Sequence, residues 1–390
     1  MENTKIEAFT GISSNEDPFE AGKESVESML AGLEEEPKIV FVFSSSEYDQ
    51  EEVLSGVISS TEEARVVGCS TAGEIEGSQV KSGSVVVMGI SGADHWPVAV
   101  EKGAVENSFR TGREMARKLR ERENNFSALF LLGDGLSENG AEIVRGAQEV
   151  LGNDFLIIGG LAGDDYNFQK TFQYVDGEVV SGAVLGIGIS DDVSFGTGCG
   201  HGWEPVGNPM RVTASEGAKV IEIENEPALK IYEDYFGKAA EELTRESFAQ
   251  IAYTYPLGMS IDESENTLLR SPVIANGDGE IDFAAEVPEG SIVRLMIGDR
   301  KKAIGAAREA AESARNQLGE KPKAVFVFNC IARYKLLGME RNEEPEAIKD
   351  VFGPEVPVAG FYTYGEIAPL KNGEERSVFH NETITVLAIR

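Results

Sequence analysis

The stretch FNCIAR puts Asn329, Cys330 and Arg333 where an apolar run gives way to a helical pattern, and His380-Asn381 stands just ahead of a later apolar run. A strand handing over to a helix at Cys330 would hold the thiol at a helix N-terminus, where the positive end of the dipole favours thiolate and lowers its pKa. Arg333 would share that face, and its planar fork matches a carboxylate. His380 and Asn381 would reach the same end of the sheet. Cysteine with histidine and asparagine is a set that nucleophilic enzymes use, so Cys330 with His380 is the pair a thiol-dependent reaction would call on. The plainer readings are a buried, inert Cys330 and one that only touches a ligand.

A second chemistry is written three times. GCSTAGE (68–74), GGLAGDD (159–165) and GFYTYGE (360–366) each carry a glycine turn followed by an acid: Gly73-Glu74, Gly163-Asp164 and Gly365-Glu366. At strand ends in α/β sheets such turns bring backbone N–H groups close to a ligand. In the last copy Tyr362 and Tyr364, beside Phe361, would wall an organic molecule and orient it through their hydroxyls. Glu366 would pair with an ammonium group; Cys69, Thr71 and Glu74 would act likewise in the first copy. Asp164 and Asp165 offer an amine or cation a place on the middle loop. Against each stands the reading in which the acid only caps a backbone N–H of its own turn. GCGHGWEP sets His201 and Trp203 in a loop, with Trp203 reading as a wedge at an interface. Three histidines without HxxxH or CxxC leave a zinc site short of ligands, and GIGISDDVSFGTG lacks the spacing of a dinucleotide loop. Neither a metal nor a cofactor is called for.

The elements that must position these residues repeat with them. PKIVFVFSSS (37–46), SALFLLGDG (127–135) and PKAVFVFNC (322–330) are continuous apolar runs of strand length, as in sheets covered on both faces. Each leads to a helical stretch, a second strand, a glycine turn and a closing strand: GSVVVMGI (83–90), SGAVLGIGI (181–189) and NETITVLAI (381–389). Self-similarity on this scale means one supersecondary unit used repeatedly. Short loops after the turns predict mixed sheets, so the fold class is α/β (or α+β), with mixed β-sheets flanked by helices. A chain of 390 residues exceeds one core, and two domains are expected. Residues 1–24 read as a loose lead-in, 25–222 as the first domain and 223–390 as the second. The second is entered where KVIEIE gives way to Pro227 and a helix bearing Leu229, Tyr232 and Phe236.

Composition narrows the partners. With 67 acidic against 35 basic residues the net charge is −32, and no basic stripe is long enough to follow a phosphate backbone, which argues against nucleic acid. The locally basic RTGREMARKLRERE carries Met115, Ala116 and Leu119 at helical spacing and reads as a solvated helix face. Three scattered cysteines suit a reducing compartment, the start MENTKIEAFT lacks the blocks of a signal peptide, and no run reaches the ~18 apolar residues of a membrane span. The expectation is a cytoplasmic protein without a membrane span.

Taken in order, GCSTAGEI, GGLAGDD, HGWEP, PALKIYEDYFG, FNCIAR, GFYTYGEIAP and FHNET resemble the FIST family (F-box and intracellular signal transduction proteins) over roughly residues 25–380. The first three are similar to its N-terminal domain and the last four to its C-terminal domain. The resemblance implies a sensory module that binds a small molecule, such as an amino acid, near the glycine turns. Many members of that family are joined to output domains; here the signal would pass to a separate signalling protein. The alternatives are the thiol-dependent enzyme above and a scaffold that binds a signalling protein without a metabolite.

Overall fold

The runs IVFVFSS, FSALFLLG and AVFVFNC are too apolar for a surface, and in a computed structural model of the chain they are buried strands of three like units. The structure describes residues 6–61, 63–93, 95–237, 248, 251, 253–260, 267–370 and 376–390. The first unit runs β1 (Glu7–Ser13), α1 (Pro18–Leu30), β2 (Ile39–Ser45), α2 (Gln50–Ser59), β3 (Arg65–Thr71), β4 (Glu74–Glu76), β5 (Gln79–Lys81) and β6 (Val85–Ser91). The second repeats it: β7 (Val98–Lys102), α3 (Ser108–Arg122), β8 (Phe126–Gly133), α4 (Gly140–Leu151), β9 (Leu156–Leu161), β10 (Gln173–Val175), β11 (Glu178–Val180) and β12 (Ala183–Ser190).

The third unit opens with β13 (Phe195–Gly200) and is then interrupted. The excursion holds β14 (Trp203–Glu216), β15 (Lys219–Ile223), β16 (Glu226–Pro227), α5 (Lys230–Phe236), β17 (Leu257–Ser260), β18 (Thr267–Arg270), β19 (Pro272–Ala275), β20 (Ile281–Phe283) and β21 (Ile292–Gly298). The unit resumes with α6 (Arg300–Leu318), β22 (Ala324–Cys330), α7 (Ile331–Leu337), α8 (Glu343–Phe352), β23 (Val358–Thr363), β24 (Glu366–Pro369), β25 (Ser377–His380) and β26 (Ile384–Ile389). The long outer helices start where an Asp or Asn side chain accepts a first-turn N–H: Asp17, Asp49, Asn107, Asn139 and Asp299.

Each unit builds a six-stranded mixed sheet on one plan. The second and third strands pair in parallel, and the closing strand lies antiparallel between the first and second. The hairpin after each glycine turn pairs elsewhere. β10–β11 completes the first sheet against β3, β24–β25 the second against β9, and β4–β5 the third against β23. The exchange closes a cycle of three, so each sheet is finished by a neighbour. Between the sheets Phe41, Phe130 and Phe326 meet from one register of β2, β8 and β22, with ring centroids 5.0, 4.7 and 5.1 Å apart pairwise. These edge and tilted contacts knit the three units into one core.

One expectation changes. Residues 7–13, read as part of a loose lead-in, form β1, paired antiparallel to β6 from Glu7–Ser91 to Ser13–Val85. Its small and polar residues hide the strand from pattern reading. One of them, Gly11, lets α1 close down, because a Cβ there would stand 1.9 Å from Ser25 O. The strand-rich piece after residue 238 is continuous with the strands before it, since β17–β21 join β14–β16 in an eight-stranded antiparallel sheet. Residues 238–247 of that piece lie outside the described residues. No described helix is long and apolar enough to cross a membrane.

Candidate functional site

The three glycine turns interlock at the ends of the parallel pairs. Ala72 N–H donates to Tyr362 O (3.0 Å), Tyr362 N–H to Gly73 O (2.8 Å), Leu161 N–H to Gly365 O (2.8 Å) and Gly163 N–H to Ser70 O (3.1 Å). Such proximity requires glycine: a Cβ on Gly163 would lie 2.6 Å from the Ala72 nitrogen. The repeated turn is therefore a clasp among three units, with its backbone polar groups spent on one another.

Pairing also fixes which residues are counterparts. Glu74 sits opposite Phe361, Glu366 opposite Gly160 and Gln173 opposite Cys69, the same register in three sheets. The middle counterpart of the two glutamates is thus Gln173. Asp164, which ends the middle turn in sequence, belongs to a loop inserted before β10. Glu74 and Glu366 are held alike: Thr71 and Thr363 hydroxyls donate to one oxygen, and Ser84 N–H (3.2 Å) and Thr383 N–H (3.1 Å) to the other. Both are wholly buried, and burial pushes each carboxyl up to about 8 against the lowering pull of these bonds.

The inserted loop is a taut aromatic strap. Asp164 accepts N–H bonds from Phe168 (2.8 Å), Gln169 (2.6 Å) and Lys170 (3.0 Å), and the Tyr364 hydroxyl at 2.5 Å. Asp165 accepts from Ser45 Oγ (2.9 Å) and from Ser46 N–H (2.7 Å) and Oγ (2.8 Å). Asp165, Tyr166 and Phe168 take positive φ of 53°, 72° and 52°, and Phe168 stacks on Tyr364 at 4.8 Å. Strain of this kind, on the order of 1–3 kcal/mol a residue, persists only where bonds over-determine it.

Under the strap lies a cavity of about 130 Å³. Tyr166, Phe168 and Tyr364 wall one side, Ser271, Pro272 and Val273 of the inserted sheet face them, and Cys330 and Asn381 stand at its polar end. Three of the residues expected from sequence therefore come together here: Cys330, Tyr364 and Asn381. Glu366 stands behind, and its charge, after burial, helps push the Cys330 thiol up. Beside them is Glu382, wholly buried at φ 58°, whose Oε1 accepts the Ser271 hydroxyl. Its Oε2, like Asn381 Oδ1, has no partner among the described residues. Sequence reasoning stops at His380 and Asn381 and passes over Glu382. The signal that finds it is the alignment of Ser-Gly-Ser (82–84), Ser-Gly-Ala (181–183) and Asn-Glu-Thr (381–383), which sets Glu382 against two glycines.

The remaining candidates are placed otherwise. The Cys330 thiol is pushed well up, first by burial and then by Glu366 and Glu382; the helix it precedes has only seven residues, and the expected thiolate does not form. His380 lines a different hollow, of about 630 Å³, with Cys199 and His201, and its Nε2 meets the carbonyl oxygens of Ala368 (3.3 Å) and Pro369 (3.2 Å). Burial lowers it to about 4, and because Cys330 and His380 line separate hollows the pair is not assembled. Arg333 is fully buried, and its fork already holds Glu344, also fully buried, with Nε to Oε1 at 2.9 Å. Its other N–H groups reach the His201, Ala303 and Glu382 carbonyls. Tyr362 packs in the core edge-on to Tyr334, and Cys69 sits in the central core. Asp164, Asp165, Thr71 and Glu74 serve the turns in the manner just described. Trp203 is buried against the Arg333 guanidinium, 5.6 Å from its ring.

Comparison with known proteins places the chain in a family. An uncharacterized protein of Methanocaldococcus jannaschii is 27% identical over 358 residues, covering 85% of this chain and 67% of that protein. An uncharacterized protein of Mycobacterium tuberculosis is 26% identical over 217 residues, 55% of this chain and 56% of that one. The chain thus spans between about half and two thirds of the length of these relatives. A crystal structure of cyanuric acid hydrolase from A. caulinodans aligns over 99% of this chain and 100% of its own at 9% identity and a TM-score of 0.36, too loose a likeness to show a shared fold. The FIST N domain matches residues 38–226 and the FIST C domain residues 228–369, so the chain belongs to the FIST family, whose domains are associated with signal transduction.

Proposed function

We propose that this chain is a cytoplasmic sensor that binds a small molecule, an amino acid or related metabolite, in the cavity beneath the aromatic strap. The observation that carries the reading is Asn381, which lines the cavity and whose buried Oδ1 has no partner among the described residues; Glu382 stands one layer behind, bonded to the lining Ser271, with its Oε2 likewise unpartnered among them. A buried acceptor left unpaired costs about 1–3 kcal/mol, and a ligand that supplies the missing hydrogens recovers it. At about 130 Å³ the space lies well under the ~300–1,000 Å³ of a drug-sized site, so the ligand is compact. Such a ligand touches the strap of the second unit, the turn of the third and the inserted sheet at once. Its affinity differs between arrangements that keep those parts together and arrangements that separate them, and that difference is what it can transmit to a signalling partner.

The test is a thermal-shift screen against amino acids, amines, carboxylates, amides and nucleotides, run in parallel on an Ala284→Leu variant that fills the cavity. A ligand at about 100 times its Kd adds about 2.7 kcal/mol of stability. One coherent class of hits, absent from the variant, is the expected result. Hits retained in the variant, or silence throughout the screen, would overturn it.

A further inference from the structure

Three closing strands begin in the same way, which allows a comparison inside one chain. Ser45 and Cys330 end β2 and β22, Asp134 follows directly on β8, and their N–H groups donate to the carbonyls of Ser84 (3.0 Å), Ala183 (2.9 Å) and Thr383 (3.0 Å). The residue before each of those carbonyl residues must turn the chain through left-handed space: φ is 63° at Gly83, 66° at Gly182 and 58° at Glu382. Two units meet the requirement with glycine, at no steric cost. The third holds a glutamate there, a residue for which that backbone is strained, and buries its carboxyl completely. Geometry alone would select glycine. The side chain is therefore retained for what it meets, and inside the protein it meets only the Ser271 hydroxyl, leaving Oε2 without a partner among the described residues.

Resting on the cavity reading above, we infer that Glu382 is the anchor for a cationic, ammonium-bearing head group, with Asn381 Oδ1 as a second acceptor and the aromatic strap covering the cation's flank. Three observations fix the sign. Asn381 Oδ1 is an acceptor that only a donor satisfies, and the Glu382 carboxyl, which burial pushes well up, accepts on both oxygens once a cation beside it takes the place of its proton. No lysine, arginine or histidine lines the cavity among the described residues, and the Arg333 guanidinium is closed around Glu344, so an anionic head group finds no counter-charge in the lining. Tyr166, Phe168 and Tyr364 present ring faces and edges that suit a cation. A carboxylate on the same molecule would find its cation outside the lining, in Lys335, which lies 4.2 Å over the ring of Tyr166.

The experiment compares three molecules of one shape, propylammonium, propionate and propionamide, with L-alaninamide as a second cation. Each is read by thermal shift on the full chain and on Glu382→Gln and Glu382→Gly variants. Propylammonium and L-alaninamide are expected to raise the wild-type Tm and the other two to leave it unmoved, and at least a tenfold loss of amine affinity is expected in both variants. Glu382→Gly installs the residue of the other two units and keeps the backbone relaxed, so it reports binding even if the glutamine variant folds poorly. Stabilisation by propionate or propionamide equal to that by the amines, or amine binding unchanged in both variants, overturns the cation assignment and leaves the cavity standing. Silence from all four compounds together with silence in the broader screen overturns the cavity reading itself.

Discussion

Replacing Glu74 by glutamine isolates the effect of a buried acid on the stability of the clasp. Two terms oppose each other at this carboxyl. Thr71 and Ser84 donate to it and favour the anion, while complete burial favours the neutral acid. Burial wins, and the group titrates at about 8 in the fold against an ordinary 4.5. The sign follows from proton counting. Between pH 4.5 and pH 8 the folded chain holds a proton that the unfolded chain has released, so stability falls as pH rises, by about 1.4 kcal/mol per pH unit, and levels off above pH 8. Over the whole window the ceiling is about 5 kcal/mol for this residue. Glutamine has the shape of the neutral acid and no titration, and the second unit already carries Gln173 at this register. Glu74→Gln should therefore match the parent within ~1 kcal/mol near pH 5 and exceed it by several kcal/mol at pH 8.5. With m near 3 kcal/mol/M for a chain of this size, urea midpoints at the two pH values should separate by on the order of 1 M. A variant weaker than the parent at both pH values would refute the reasoning, because it would mean that the carboxylate is bonded as an anion and that burial does not set its charge.

Other consequences can be checked independently. Asp164→Ala removes the acceptor for three strap N–H groups and the Tyr364 hydroxyl, and should cost about 3 kcal/mol and open residues 166–169 to proteolysis; a loss under ~1 kcal/mol would refute this account of the strap. Arg333→Met leaves Glu344 buried without its partner and should cost about 3–5 kcal/mol, most of it recovered by adding Glu344→Leu; a double-mutant cycle without coupling would refute this. The Cys330 thiol, held protonated by burial, should resist iodoacetamide at pH 7 until the chain unfolds, while half-buried Cys199 is labelled first. Rapid native labelling of Cys330 would restore the nucleophile reading.

What the sequence made legible follows from what is local. The central strands β2, β8 and β22 are apolar along their whole length, and the glycine turns repeat in plain letters, so the three-unit plan and the mixed sheets could be read directly. The exchange of hairpins could not, because β4–β5 reaches β23 nearly 300 residues away and no local pattern records a partner that distant. The same limit hid Gln173 as the counterpart of Glu74, since the inserted strap displaces it and offers Asp164 as a nearer acid. Arg333 is a third case. Its type and spacing invited a ligand carboxylate, and the fork is indeed closed on one, but Glu344 supplies it from α8. Cys330, Tyr364 and Asn381 were found because they sit on motifs; Glu382 was missed because its meaning lies in a backbone angle and in the glycines that replace it in the other two units.

The threefold plan gives a way to separate scaffold from site, since a residue needed only for the fold should be needed three times. At the strand ends, the first two units consume their own polar groups: Ser45 donates to Asp165 at 2.9 Å, and Asp134 accepts the N–H of Gly182 at 2.8 Å and of Leu136 at 2.8 Å. Those bonds close the two strand ends, and the unpartnered polar atoms of the second unit's Gln173 lie at the clasp, away from them. In the third unit the same three positions carry Cys330, Asn381 and Glu382, and two buried acceptor oxygens remain without partners among the described residues. The inserted sheet interrupts that unit and no other, and it brings Ser271, Pro272 and Val273 against those positions. Breaking the repeat in sequence and covering the break with an extra sheet coincide at one place, and neither is required by the core around Phe41, Phe130 and Phe326. Stability accounts for the shared plan; the departure from it falls where the proposed ligand site lies.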